Sequence, residues 1–176
     1  MTGRTLAGWL EYIERQHPSA IALGLERVAE ARDALGVELD CPVLTVGGTN
    51  GKGSTCAILS SILGCAGYRV GLYTSPHLLR YNERVRICGR EADDAALCDA
   101  FEAVEQARGR IALTYFEYGT LAAGWLFARE RLDAVVLEVG ARFNGQASCS
   151  TFTSRTTCAF LARVESASPQ MAMILT

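Results

Sequence analysis

Residues 45–55 read Thr45-Val-Gly-Gly-Thr-Asn-Gly-Lys-Gly-Ser-Thr55. They follow a short β-branched run at 42–46, which is typical of a buried strand, and they lead into a helical segment at 54–66. A strand, a glycine-rich turn with a lysine, and hydroxyl residues at the start of a helix are typical of a loop that binds nucleotide phosphates. Glycine lets backbone N–H groups approach the phosphate oxygens, and the helix N-terminus favours an anion.

Lys52 is the only lysine of the chain, which otherwise has arginine at its basic positions. An ammonium group is a compact point charge that suits a tight loop, whereas a guanidinium is a broad planar fork. The loop departs from the form G-x-x-x-x-G-K-[ST], because Val46 occupies the first glycine position and Gly53 separates Lys52 from Ser54. The alternative is a surface turn with a solvated lysine. The pattern favours phosphate binding, and the type of enzyme must come from other motifs.

The composition is that of a globular protein with one domain. The chain has 176 residues, and its formal net charge of −2 gives no overall electrostatic reason to expect a nucleic acid or a membrane as partner. The 7 cysteines include no Cys-x-x-Cys pair, so we interpret them as mostly buried thiols and not as a metal site. No apolar run approaches the ~20 residues that span a bilayer. We therefore expect a protein of the reducing cytoplasm.

Helical and extended segments alternate along the chain as far as Gly140. Periodicity and capping residues predict helices at 6–16, 25–35, 54–66, 93–107 and 116–131, and apolar runs predict strands at 42–46, 68–73, 82–88 and 133–139. This alternation, with strands that are apolar on both faces, favours an α/β fold with a mostly parallel sheet flanked by helices. Residues 141–176 are rich in serine and threonine and show no period apart from a short run at 159–164. We expect them to form an atypical, poorly specified tail.

Several stretches occur in this order: Ile21-Ala-Leu-Gly-Leu-Glu-Arg-Val28, Gly48-Thr-Asn-Gly-Lys-Gly-Ser-Thr55, Tyr73-Thr-Ser-Pro-His-Leu78 followed by Arg80-Tyr-Asn-Glu-Arg-Val-Arg86, Leu113-Thr-Tyr-Phe-Glu-Tyr-Gly119, and Val136-Leu-Glu-Val-Gly140. Together they closely resemble the N-terminal domain of the bacterial bifunctional dihydrofolate synthase/folylpolyglutamate synthases, which are relatives of the Mur ligases. The resemblance runs from about Leu6 to Gly140. It implies that residues 1–140 form an N-terminal ATP-binding domain, like the central domain of Mur ligases, with the P-loop at 48–55.

The resemblance implies a ligase of folate biosynthesis that uses ATP and Mg²⁺. In this family the γ-phosphate of ATP passes to the carboxylate of dihydropteroate or a tetrahydrofolate, and the amine of L-glutamate then attacks the acyl phosphate. The partners would be these small molecules, and the protein would be a monomer. Lys52 and Glu138 would be the catalytic residues. The resemblance assigns ATP binding to Thr49, Asn50, Gly51, Lys52, Gly53 and Ser54, metal binding to Ser54, Ser75 and Glu138, and pterin binding to Ala20, Ile21, Ala22, Leu23, Thr114, Tyr115, Phe116 and Glu117.

Each assigned residue also has a structural interpretation. Glu138 ends a predicted buried strand, where a parallel sheet presents groups to a ligand, but it could instead cap the neighbouring helix. Ser75-Pro76 could be only a turn, although a hydroxyl is an apt oxygen ligand for Mg²⁺. Tyr115 and Phe116 could be core aromatics, although an aromatic face suits a flat pterin ring.

The resemblance ends after Gly140. The family continues with a Gly-Leu-Gly-Gly-Arg-Leu-Asp type of stretch and a later Asp-His pair that supplies a second metal ligand, whereas this chain continues with Ala141-Arg-Phe-Asn-Gly-Gln146. We hypothesise a truncation or frameshift after Gly140, with the C-terminal ligase domain absent, and expect little or no ligase activity from this chain alone. Two other interpretations remain open: a fragment of a Mur-type peptide ligase, which the motifs at 75–77 and 114–117 disfavour, and a non-catalytic nucleotide- or pterin-binding module.

Overall fold

The computed structural model describes residues 3–16, 26–139 and the two-residue strand at 174–175. The elements in chain order are α1 (Leu6–Gln16), α2 (Glu26–Leu35), β1 (Val43–Val46), α3 (Lys52–Cys65), β2 (Val70–Tyr73), a 3-10 turn (Tyr81–Arg84), β3 (Val85–Ile87), β4 (Arg90–Glu91), α4 (Asp94–Arg108), α5 (Tyr115–Ala128), β5 (Ala134–Glu138) and β6 (Ile174–Leu175).

The strands form one 6-stranded sheet in the order β4-β3-β2-β5-β1-β6. The strands β2, β5, β1 and β6 are parallel, and β3 and β4 extend the sheet as an antiparallel hairpin. This confirms the predicted α/β fold with a mostly parallel sheet. The central strands β2 and β5 are buried along their whole length, as expected for strands covered on both faces.

The two faces of the sheet are covered unequally. Successive residues of a strand point to opposite faces, and in β5 Val135 and Leu137 belong to the larger apolar core while Val136 belongs to a smaller one. The larger core is formed with α1, α2, α4 and α5 and includes the buried rings of Trp9 and Phe101. The smaller core lies under α3. The helix that follows the glycine loop is therefore held against the central strands.

A partly buried polar cluster joins α1, α4 and α5 on the side of the larger core. The carboxylate of Glu105 accepts hydrogen bonds from the hydroxyls of Tyr12 and Tyr118, both at 2.7 Å. It also accepts from Nε and Nη2 of Arg108, at 2.8 and 2.6 Å. Burial raises the pKa of Glu105, but the bonds from Arg108, Tyr118 and Tyr12 outweigh it and lower the pKa below the ordinary value. Every charge in this cluster is therefore paired.

The structure corrects three details of the sequence-based predictions. Residues 82–84, predicted as part of a strand, belong to the 3-10 turn, because the Glu83 carboxylate binds backbone N–H groups before it. Helix α3 begins at Lys52, two residues earlier than predicted. The cysteines are not mostly buried, since only Cys41 and Cys56 are buried among the five free thiols of the described residues. None of the described helices combines the length and the apolar composition that a membrane-spanning helix needs.

Candidate functional site at the carboxyl edge of the sheet

The predicted nucleotide-binding residues lie at the carboxyl edge of the parallel strands. Val46, the last residue of β1, is opposite Glu138, the last residue of β5. Tyr73, the last residue of β2, is opposite Leu137. Ligands of open α/β sheets bind in the crevice beyond these strand ends. The glycine loop after β1 and the segment after β2 therefore meet around the end of β5.

The glycine loop delivers Lys52 as the first residue of α3. Gly51 has a φ of 73°, in the left-handed region, and this lets the chain turn directly into the helix. The ammonium of Lys52 donates to the carbonyl of Gly48 at 2.9 Å, so the side chain lies back over the loop. The N–H groups of the first helical turn have no partner within a helix and are available to an anion. The predicted residues Thr49, Asn50, Gly53 and Ser54 are exposed in this loop and turn.

Glu138 presents a buried carboxylate to this loop. The residue is 6% exposed, and its Oε2 accepts a hydrogen bond from the N–H of Ser75 at 3.1 Å. A Cβ at Gly53 would lie 4.0 Å from the same oxygen, which places the carboxylate beside the start of α3. Burial, and then the charge of Glu138, raise the pKa of the Cys56 thiol to about 12. Within the described ranges Glu138 forms no ion pair.

The segment that follows Ser75 is fixed by Glu83. Its carboxylate accepts hydrogen bonds from three consecutive backbone N–H groups, those of Leu78, Leu79 and Arg80, at 2.8 to 2.9 Å. These bonds hold the pKa of Glu83 at about 2, well below its ordinary value. The carbonyl of Arg84 also accepts from the N–H of Thr74 at 2.9 Å. The chain is thereby folded back so that Ser75 remains beside Glu138.

The predicted pterin residues 114–117 form the start of α5. Thr114 caps the helix: its hydroxyl accepts from the N–H of Glu117, and Glu117 Oε2 accepts from the N–H of Thr114 at 2.7 Å. Glu117 Oε1 pairs with Arg27 at 2.9 Å. Tyr115 and Phe116 are only partly buried, and Phe116 lies 6.2 Å, between ring centroids, from Tyr73. The aromatic pair therefore lies near the strand end, while Thr114 and Glu117 already have structural partners.

The structure brings together most of the predicted site. The loop residues 49–54, Ser75 and Glu138 share one edge of the sheet, and residues 114–117 start the helix beside it. The predicted pterin residues 20–23 and the tail at 141–173 lie outside the described residues. Glu83, Arg84 and His77 are absent from the sequence-based assignments, although all three lie within the motifs that carry the resemblance. Their position in the same segment as Ser75 is the sequence signal that could have identified them.

The residues at this edge fit a hard divalent cation. Within residues 3–16 and 26–139, no three histidine, cysteine, aspartate or glutamate side chains form a group that could hold a metal ion by themselves. A metal ion would therefore rely on the Glu138 carboxylate with the hydroxyl oxygens of Ser54 and Ser75. Mg²⁺ is commonly held by one or two carboxylates and the phosphates of a substrate. A buried carboxylate without a cationic partner is consistent with this arrangement.

Comparison with known proteins gives a consistent set of relatives. No family model matches the chain. The chain is 57% identical, over 136 residues, to the dihydrofolate synthase/folylpolyglutamate synthase of Escherichia coli K12, a match that covers 77% of this chain and 32% of the relative. It superposes on E. coli FolC in complex with DHPP and ADP with a TM-score of 0.75 and 56% identity, over 78% of this chain and 33% of that one. A bifunctional folylpolyglutamate synthase/dihydrofolate synthase with Mn, AMPPNP and L-glutamate bound gives a TM-score of 0.74 and 51% identity, with the same coverage. The chain thus spans about a third of the length of the relatives it matches.

Proposed function

Because this chain belongs, over 77% of its length, to the dihydrofolate synthase/folylpolyglutamate synthase family, we propose that it carries the substrate-binding part of an ATP-dependent glutamate ligase. In the whole protein, a carboxylate oxygen of dihydropteroate or a tetrahydrofolate would attack the γ-phosphorus of ATP, and ADP would leave with the electron pair of the broken P–O bond. The amine of L-glutamate would then attack the acyl carbon, releasing phosphate and forming the amide.

The observation that carries this proposal is the convergence of two segments on the carboxylate at the end of β5. Glu138 is bonded to the N–H of Ser75, and its oxygen lies beside Gly53 in the first turn of α3. The glycine loop supplies N–H groups for phosphates, and Glu138 and the two serines supply oxygens for a cation. Phosphates and their cation can therefore be bound side by side.

Each residue has a physical role in this proposal. Lys52 would exchange its bond to the Gly48 carbonyl for bonds to the terminal phosphates, where its ammonium stabilises negative charge. Glu138 and the hydroxyls of Ser54 and Ser75 would hold Mg²⁺. When bound, this ion would neutralise negative charge on the phosphates. The partly exposed faces of Tyr115 and Phe116 would pack against the pterin ring.

Calorimetric titration tests the proposal on the full chain. We expect saturable binding of ATP with Mg²⁺ and, independently, of dihydropteroate. Binding of ATP that is unchanged when Mg²⁺ is withheld would contradict the metal assignment. Failure to bind either ligand would remove the proposed function, whereas binding of ATP without dihydropteroate would favour a nucleotide-binding module.

Turnover is a separate question from binding. The chain has two histidines, His17 and His77, so residues 141–176 do not supply the second metal-binding histidine that the family implies. We therefore propose that ligand binding exceeds catalysis in this chain, and that assays of ATP- and glutamate-dependent consumption of dihydropteroate give little product. Rapid turnover would contradict this.

We also propose a cytoplasmic location, which the free thiols support. The monomeric state stays a prediction.

A further inference from the structure

Two buried charges of the described residues have no opposite charge beside them. Most buried charged side chains are paired: Arg32 with Asp33, Arg108 with Glu105, and Glu117 with Arg27. Glu138 and Arg84 are the exceptions, although they are 6% and 8% exposed. A buried charge without a counter-charge is costly, so such residues commonly meet a ligand of opposite sign. In the proposed function, Mg²⁺ neutralises the charge of Glu138. No anion has yet been assigned to Arg84.

Within residues 3–16 and 26–139, the surroundings of Arg84 are polar but include no carboxylate that pairs with it. Its Nε donates to Nδ1 of His77 at 2.8 Å. The guanidinium carbon lies 5.3 Å from the ring centroid of Tyr81 and 5.4 Å from that of Tyr115. These rings attract the cation weakly and do not neutralise it. Because Nε is engaged by His77, the two terminal nitrogens are the groups that could bind an anion.

A second polar group belongs to the same cluster. The hydroxyl of Tyr73 is buried beside Arg84, Tyr81 and Thr120. A Cβ at Gly119 would lie 2.8 Å from this hydroxyl and 2.5 Å from that of Tyr81, so the packing at this position requires glycine. The buried guanidinium of Arg84, which has no ion pair among the described residues, and the buried hydroxyl of Tyr73 therefore lie together behind the first turn of α5.

The position of Arg84 indicates which anion it would meet. Tyr115, which contacts the guanidinium, belongs to the predicted pterin segment. His77, which accepts from Arg84, lies two residues after Ser75, whose N–H binds Glu138 at the proposed phosphate site. Arg84 thus contacts the pterin segment through Tyr115 and the segment that carries Ser75 through His77. The group that must lie between a pterin ring and the terminal phosphate of ATP is the carboxylate that attacks that phosphate.

We propose that Arg84 binds the carboxylate of the pterin-linked substrate and fixes its orientation. This inference rests on the proposed function. The planar guanidinium offers two parallel N–H groups that match the two oxygens of a carboxylate. The bond from Nε to His77 and the flanking rings of Tyr81 and Tyr115 hold that plane in place. Arg84 is then a specificity residue that distinguishes an acid from a neutral analogue of the same size.

The test compares dihydropteroate with its carboxamide, in which the charged group alone is changed. Both are titrated against the full chain with its native sequence, Arg84→Met and the control Arg86→Met. Arg86 lies two residues away, is 43% exposed in its side chain and pairs with Glu91, so its loss removes an arginine of the same strand region without touching the site. We expect Arg84→Met to weaken binding of the acid about 10- to 100-fold, which is the loss expected for a charge-assisted hydrogen bond, and to leave the carboxamide unchanged. Arg86→Met should retain the native preference for the acid.

Several results would overturn this assignment of Arg84. Equal loss of acid and carboxamide in Arg84→Met would indicate a structural role, and unchanged binding of both would indicate none. If Arg84→Met weakens the binding of L-glutamate but keeps the preference for dihydropteroate over its carboxamide, Arg84 binds the carboxylate of glutamate instead. If Arg84→Met does not fold, the native chain still decides, because equal affinity for acid and carboxamide would exclude carboxylate recognition. That last result would leave the proposed function intact, whereas absence of any pterin binding would remove both.

Discussion

Two regions of the molecule bury charged side chains in opposite ways. In the helix cluster (Tyr12, Glu105, Arg108 and Tyr118), every charged group has partners within hydrogen-bond distance. At the sheet edge, Glu138 and Arg84 are as deeply buried but have no ion pair among the described residues. The first arrangement joins helices to one another. The second leaves charge available for molecules that are not part of the chain.

The difference separates stability from function in physical terms. Removing one partner of a buried pair leaves the other uncompensated, and this typically costs several kcal/mol. Removing a buried charge that has no ion pair instead removes the free-energy cost of burying that charge. The folded state should therefore tolerate the substitution. Replacements in the helix cluster should therefore destabilise the fold, whereas those at the sheet edge should affect binding.

The largest effect is expected for Glu105→Gln. The neutral amide cannot compensate the buried Arg108, so we expect a loss of about 3 kcal/mol in the free energy of unfolding. Chemical denaturation measures this, with Glu102→Gln as the control because Glu102 is exposed on the same helix and accepts a hydrogen bond from Gln106, one turn along it. ATP affinity of the folded variant should match the native value. If Glu105→Gln keeps its stability but loses ATP binding, the helix cluster serves binding and does not stabilise the fold.

Glu138→Gln is expected to act in the opposite way. The shape of the side chain is kept and an unpaired buried charge is removed, so the free energy of unfolding should stay the same or rise. The Mg²⁺-dependent part of ATP affinity should fall at least about tenfold, because the amide is a poorer ligand for a hard cation. Titration with and without Mg²⁺ measures this. A clear loss of stability with ATP affinity unchanged would mean that Glu138 only caps the neighbouring helix.

Lys52→Arg keeps the charge of the loop and changes its shape. The guanidinium is broader than the ammonium that lies over the Gly48 carbonyl, so we expect ATP affinity to fall by about 1 kcal/mol, roughly one hydrogen bond. Stability should not change, since the side chain is not enclosed in the core. Arg86→Lys is a matched control in which the same two residue types are exchanged outside the site. Unchanged ATP affinity in Lys52→Arg would return Lys52 to the interpretation as a solvated surface charge.

The sequence was sufficient for the elements whose residues interact locally. The apolar run that forms β5 and the β-branched run that forms β1 predict buried strands, and the glycine loop between a strand and a helix predicts a phosphate site. Glu138 was also identifiable as a candidate site residue, because the apolar run of β5 shows where this parallel strand ends. These features depend on residue types within one short segment.

The remaining features depend on neighbours that are distant in the chain or on backbone folding. The alternation in 82–88 suggested a strand throughout, but Glu83 folds the chain into a turn by binding N–H groups that precede it. Arg84 and Arg86 are the same residue type two positions apart, yet Arg86 pairs with Glu91 while Arg84 lies between two aromatic rings. Only the fold reveals which of the two lacks a counter-charge. The short strand β6 also lay in a region where the sequence shows no period.

The smallest effect is expected for Glu83→Gln, and it should depend on pH. Because the bonds to three N–H groups lower the pKa of Glu83 from 4.5 to about 2, its carboxylate stabilises the fold fully above pH 4.5. That contribution disappears as the pH falls toward 2. The native chain should therefore melt at a higher temperature than Glu83→Gln near neutral pH, and the difference should shrink between pH 4.5 and 2. Glu130→Gln is the control, because the Glu130 carboxylate is also bonded, to the exposed Arg69, but lies away from the sheet edge. A difference in melting temperature that stays constant down to pH 2 would show that the charge of Glu83 does not hold the segment after Ser75, and Glu83 would then group with neither the helix cluster nor the sheet edge.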